Sequence, residues 1–391
     1  MSISATMYTL NTPIHISLWN RDFWLLSLAN FLLSFSIFLT FPSLPLWMED
    51  TGKYAMWEIG TVMLSFAPAL FLLGGFCSYL VQQYRRNHVC QLLILLMAAS
   101  HGALYLFHNQ LIFPLIILSR VMLGAFYGLA EMILMSTLII DTCASFRRTE
   151  ANHCSAWFSR FGLALGPLCG LLLYRYYDMS WVYISSALCG VLAVVLIIFV
   201  RFPFRAPEEI VRRYSTDRFL LLRSWPLFVN LLMMAVVIGL LLPLHHTPFF
   251  YLLMAAGFVV AIAAQRFVFR EADLRSEAIT SFLLILAALL IELFGKKTPL
   301  QPLFVGLAVG ILGARFLLFF IKLSKHCERG TSCSTFVLSW ESGITLGIGG
   351  AYLLFGLHSL PILLTSLLLA VLSLLLYMLF THRWFIVHKN R

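Results

Sequence analysis

Residues 224–244 read SWPLFVNLLMMAVVIGLLLPL. No charged side chain interrupts this run, which lies between Arg223 and the pair His245 and His246. The hydrocarbon core of a bilayer is crossed by about 20 apolar residues in a helix, so the stretch has the length and composition of a membrane span. Runs of the same kind flank it. Breaking the chain at polar and turn-forming residues predicts spans at 23–47, 58–81, 89–107, 112–140, 155–177 and 181–201 before it, and at 248–268, 278–294, 300–321, 334–356 and 360–381 after it. In lipid every backbone polar group must be bonded within the protein, and the hydrophobicity is continuous rather than alternating, so these are helices and not barrel strands. The expected fold is all-α integral membrane with twelve transmembrane helices. Composition agrees: of 391 residues, 61% are hydrophobic and 11% charged, against about 25% charged in soluble domains. So few charges exclude a soluble enzyme, a disordered chain and a secreted disulfide scaffold.

The net charge of +10 is informative through its placement. With the N-terminus inside, twenty-one of the 27 Lys and Arg fall in segments on the inner side and four on the outer side, while Arg120 and Arg315 lie within spans. Cytoplasmic loops are enriched in Lys and Arg. The split therefore predicts a multi-pass protein of the cytoplasmic membrane with both termini cytoplasmic, and removes nucleic acid as a partner. Residues 1–20 are polar and show no cleavable leader, so the first span is expected to be retained. None of the eight cysteines forms a C-x-x-C pair, and they read as reduced thiols. No metal-ligand spacing and no phosphate-binding loop occurs; no cofactor is expected. Trp19, Trp24, Trp47, Trp57, Trp181 and Trp225 fall near predicted interfaces, where aromatic belts form.

Six spans, a polar connector and six spans suggest a duplication: an N-terminal bundle over 1–201, a linker over 202–223 and a C-terminal bundle over 224–391. Gly162-Leu-Ala-Leu-Gly166 in span five is matched by Gly343-Ile-Thr-Leu-Gly347 in span eleven, and Asn30 with Pro45 by Asn230 with Pro243. The connector, with Arg201, Arg205, Arg212, Arg213, Arg218 and Arg223, is expected to lie on the anionic inner leaflet.

Ionisable residues inside spans cost at least about 2.5–3.5 kcal/mol at a helix centre, so they tend to be paired or functional. At ~1.5 Å rise per residue, Glu131 and Arg160 come to similar depths, as do Arg315 and Glu341. The expectation is two gating ion pairs, Glu131 with Arg160 and Arg315 with Glu341, near the cytoplasmic mouth. Glu131 is also a candidate proton carrier. Arg120, Asn30 and Asn230 are the first candidates to line a central cavity. Glu292, near an outer helix end, reads as surface.

The motifs resemble those of the major facilitator superfamily. Span four, Leu118-Ser-Arg120-Val-Met-Leu-Gly124-Ala-Phe-Tyr-Gly128, is similar to that family's fourth-helix motif of an Arg followed four residues later by Gly. Span five, Gly162-x-x-x-Gly166-Pro167-x-x-Gly170, is similar to its antiporter motif, with Leu171 where the last glycine would stand. The loop after span two departs from the family's G-x-x-x-D-R-x-G-R-[KR]: Ser78 replaces the first glycine, Gln82 replaces the aspartate, and only Arg86, beside Arg85, keeps the basic character. The resemblance implies two pseudo-symmetric six-helix bundles and alternating access, with Arg120 in substrate or proton coupling. It also implies that the latch formed by that loop is weaker here or uses other partners. The glycines of span five make a smooth stripe, and Pro167 bends or softens it, which suits a surface that slides or rocks. The function expected is secondary active transport of a small organic solute by a monomer in membrane lipid, driven by protons and directed outward as an antiporter. Proton-coupled uptake of a sugar, organic acid or other nutrient is the alternative. A transport-inactive sensor, and a membrane enzyme built on a buried histidine such as His101, are the more distant readings.

Overall fold

A computed structural model describes residues 17–107, 112–202, 212–269, 273–295 and 298–390. These form twelve long helical segments: α1 Arg21–Asp50, α2 Met56–Gln83, α3 Arg86–Leu106, α4 Phe113–Asp141, α5 Arg148–Tyr176, α6 Met179–Ile198, α7 Leu222–Leu244, α8 Pro248–Phe267, α9 Leu274–Leu293, α10 Leu300–Leu323, α11 Arg329–Leu353 and α12 Ser359–His388. Eleven are long and apolar enough to cross a membrane. The remaining one, α11, carries Ser, Thr and Gly along its length and is buried almost throughout. Its environment is protein rather than lipid, so it needs no apolar coat. The aliphatic side chains that α3, α6 and α12 leave exposed, such as Leu92, Leu188 and Leu368, suit a lipid-facing surface.

Two sets of helices repeat one packing scheme. In the first half α1 lies against α5 and α6, and α3 against α4 and α6; in the second, α7 lies against α11 and α12, and α9 against α10 and α12. The glycine pairs noted above carry the equivalence. A Cβ on Gly166 would stand 2.7 Å from Phe38 of α1, and one on Gly343 would stand 2.5 Å from Ala235 of α7. Small residues let these backbones approach where lipid supplies no hydrophobic drive. The halves meet along α2–α11 and α5–α8.

Three expectations are corrected. The glycine stripe Gly162, Gly166 and Gly170 is occupied entirely by residues 34–39 of α1, so it is a packing seam inside one bundle, not a sliding surface. Trp47 is buried against Tyr54 rather than anchored at an interface, whereas Trp19, Trp24, Trp57, Trp181 and Trp225 are exposed. The described end of the connector packs against the helix ends instead of forming a separate amphipathic helix. Residues 212–221 fold under the bundles, with Tyr214 over Gly75, Phe219 over Gly74 and Ser215 N–H donating to Gly75 C=O at 2.9 Å. Side chains at 74 and 75 would displace both rings, so the Gly74–Gly75 break in α2 forms the receiving socket. Arg205 lies outside the described residues. The eight cysteines are free.

Candidate functional site

The two halves touch at three levels. On the face away from the connector, Gly60 of α2 meets Gly349 and Leu353 of α11, and Arg175 donates to the His246 carbonyl at 2.6 Å. On the connector side, here the basic face, Ser136 of α4 meets Gly330 of α11, and Asn152 lies 2.9 Å from the Cys333 sulfur. Between them sits a buried polar layer. This is a closed arrangement, and the cavity where Phe38, Phe41, Pro42, Pro45 and Pro167 face Pro243, Tyr251 and Tyr352 has only about 10 Å³ of free space, room for roughly one water.

The middle layer is built on two carboxyl groups from opposite halves. Glu131 of α4 and Glu341 of α11 are both buried. The Tyr127 hydroxyl, one turn from Glu131 on α4, donates to Glu341 Oε1 at 3.3 Å and also interacts with Glu131. Ser159 of α5 donates to Glu131 Oε1 at 3.3 Å and shares a 2.7 Å hydrogen bond with Ser34 of α1. One oxygen of each carboxyl, Glu131 Oε2 and Glu341 Oε2, has no hydrogen-bond partner among the described residues. Tyr127 and Ser159 escaped sequence reading because hydroxyls in apolar runs are common; only their spacing from Glu131 and Arg160 marks them.

The expected gating pairs do not form. Arg160 points away from Glu131: its guanidinium lies 4.5 Å over Trp157 and donates to the Ala156 carbonyl at 3.0 Å and, across the interface, to the Gly310 carbonyl of α10 at 3.2 Å. Arg315 pairs instead with Glu277 at the basic-face end of α9. Sequence spacing gives the depth of Cα, but an Arg side chain reaches several ångströms along the helix axis toward the aqueous end, and helix rotation then selects the partner.

Arg120 is fully buried. It donates to Thr40 at 3.1 Å and lies 5.2 and 5.3 Å from the ring centroids of Phe41 and Phe66. No carboxylate pairs with it among the described residues. Because Phe41 also lines the small cavity toward the face away from the connector, Arg120 stands one ring behind its wall. Asn30 and Asn230 are not brought to this place. Asn30 donates to Ser155 at 3.2 Å and Asn230 to the Ser373 carbonyl at 2.8 Å. Each amide joins helices of its own bundle, which accounts for their matched positions without a cavity role. Among the described residues His101 reaches only the Met97 carbonyl of its own helix, at 3.2 Å.

The departed loop motif finds substitutes. Arg86 pairs with Asp141 at the end of α4. Gln82, in place of the aspartate, accepts from Ser78 at 3.4 Å. The carboxylate that reaches α11 comes from the connector: Asp217 accepts from Ser78 at 3.1 Å and from Thr331, in the first turn of α11, at 3.2 Å. The Arg218 N–H donates to the Thr331 oxygen at 2.8 Å, and Arg218 adopts φ +57° to do so. A side chain held in the left-handed region costs on the order of 1 kcal/mol, so neighbouring contacts must hold the turn in place. Arg85 lies at the turn before α3.

Residues 26–357 match the family model described as Major Facilitator Superfamily. Solved structures share the architecture at low identity. The human organic anion transporter MFSD10 (TETRAN) aligns with a TM-score of 0.69 at 15% identity, over 91% of this chain and 98% of that one. The nucleoside transporter NupG, solved as a point mutant, aligns with a TM-score of 0.65 at 12% identity, over 92% and 99%. No curated protein matches. With twelve helices in two matching bundles, a fourth-helix Arg and a family match over most of its length, this chain belongs to the major facilitator superfamily of membrane transporters.

Proposed function

We propose that this secondary transporter moves a small organic solute in exchange for protons, and that the Glu131–Tyr127–Glu341 cluster carries the coupling proton. The observation behind this is that two buried carboxyls from opposite bundles share one hydroxyl, with no cation paired to either among the described residues. Two carboxylates so placed would repel strongly in a low-dielectric interior, and a proton held between them removes the repulsion. Parting of the bundles would separate Glu341 from Tyr127 and expose the carboxyls to one aqueous side, which ties proton release to alternating access. The charge asymmetry supports a cytoplasmic basic face and cytoplasmic termini. The resemblance of span five to the antiporter motif supports outward solute movement.

Proteoliposomes holding a pH-sensitive dye test this. A panel of organic anions, nucleosides and sugars is added under an imposed pH gradient. An active solute should move protons in the opposite direction. Glu131→Gln and Glu341→Gln should each abolish gradient-driven transport while leaving solute exchange at equal pH. Gradient-driven transport surviving in both variants would refute the proton role, and co-directional movement would make the protein a symporter.

A further inference from the structure

A second polar site lies on the basic face, its near edge at Ser136 about 8 Å and its far edge at Arg329 about 18 Å along the helices from the carboxyl cluster, at ~1.5 Å per residue. It is a pocket of 300 Å³ bounded by both bundles and the connector, at the lower end of the size range of small-ligand pockets. Four guanidinium groups line it: Arg86 of α3, Arg148 of α5, Arg218 of the connector and Arg329 of α11. Two are offset, Arg86 by its pair Asp141, which also lines the pocket, and Arg218 by Asp217 at 3.7 Å. Arg148 and Arg329 pair with no carboxylate among the described residues, and Arg148 Nε is buried without a hydrogen-bond partner. The Ser136 hydroxyl lines the same pocket; it is 9% exposed and likewise unpartnered. The 25-residue helix α11 begins here, with Gly330 and Thr331 on the pocket wall. The first N–H groups of a helix lack partners within it and carry its positive end.

We propose that this pocket binds a phosphate monoester anion, which bridges the two bundles and holds the basic face closed. Two uncompensated guanidinium groups match a dianion in charge, and their planar forks match phosphate oxygens in geometry. The helix N-terminus and the Ser136 hydroxyl supply further donors. A bound anion would join Arg148 of the first half to Arg329 of the second, so its release must precede opening on this side. The source of the phosphate, a free anion or a lipid headgroup, follows from which probe acts.

The test is thermal unfolding of the full chain. In detergent, inorganic phosphate is titrated against chloride at matched ionic strength. In nanodiscs, phosphatidylinositol 4-phosphate is compared with phosphatidylserine. A saturable rise in Tm with inorganic phosphate identifies a free-anion site. A rise confined to the phosphoinositide identifies a headgroup site. In either case Arg148→Gln with Arg329→Gln should weaken apparent affinity tenfold or more. No rise beyond the chloride and phosphatidylserine controls, or an unchanged response in the double variant, overturns the proposal. Should that variant fail to fold, Ser136→Leu, which removes the hydroxyl donor, narrows the pocket and keeps every charge, should weaken apparent affinity tenfold or more; an unchanged affinity overturns it equally.

Discussion

Replacing Thr331 by Val isolates the connector's hold on α11. Valine keeps the β-branched shape and removes one hydroxyl, so helix packing is preserved while two hydrogen bonds are lost: the one from Arg218 N–H at 2.8 Å and the one to Asp217 at 3.2 Å. A neutral hydrogen bond contributes about 0.5–1.5 kcal/mol net, and one to a charged group about 1.5–3. Water from the adjoining 300 Å³ pocket can take over part of both, which favours the low end, about 1–2 kcal/mol in all. That changes the ratio of open to closed basic face by roughly 5–30-fold. Spin labels on the exposed Cys327 and on Phe146→Cys, which is 73% exposed, report the separation of the halves by pulsed dipolar spectroscopy. The long-distance population should grow by that factor in Thr331→Val and stay near wild type in Thr331→Ser. An unchanged distance distribution, or equal effects of Val and Ser, would show that the hydroxyl is not the latch.

Three further outcomes follow from packing and charge. Gly170→Ala drives a methyl into the Leu39 backbone, where neither helix can yield, whereas Gly102→Ala meets open space; Tm should fall by an amount equivalent to about 1–3 kcal/mol in the first and hold or rise in the second. Arg315→Gln leaves Glu277, whose side chain is 1% exposed, without its cation, and breaking a buried pair costs about 3–5 kcal/mol; adding Glu277→Gln should recover a large part, read by the same melting assay. His245, in the turn between α7 and α8, is held down to about 4 by burial and by neighbouring His246. Its neutral form belongs to the folded state, so the unfolded chain takes up the proton first. Stability should be fully present above about pH 6.5 and fall as pH drops toward 4, and His245→Gln should flatten that slope, with denaturation curves across this window as the measurement.

Much of the fold was legible because hydropathy and charge placement are local properties. The run at 224–244 is a span wherever it sits, and the basic loops follow from a tally along the chain. Even α11, too polar to pass as a lipid-facing helix, is bounded by the same breaks, and Gly343-x-x-x-Gly347 matches it to Gly162-x-x-x-Gly166 of span five. Glu131, Arg160, Arg315 and Glu341 were identifiable as costly residues for the same reason: lipid penalises any charge at that depth.

Their partners were not legible. Glu131 and Arg160 share a depth, but α4 turns its carboxyl toward Tyr127 and Glu341 while α5 turns its guanidinium onto Trp157 and Gly310. Linear sequence contains the depth of a helical residue and omits the azimuth at which that helix docks. Asp217 shows the same limit at longer range, since nothing in its surroundings along the chain marks it as the carboxylate that meets both Ser78 and Thr331. Sequence by itself thus determined which segments are apolar enough to enter a membrane, which connecting segments carry the basic charge, and which residues are too expensive to be idle. Tertiary structure alone decided which of those residues meet, because ion pairs and hydrogen bonds act over about 3 Å and depend on helix rotation and on contacts between segments more than a hundred residues apart.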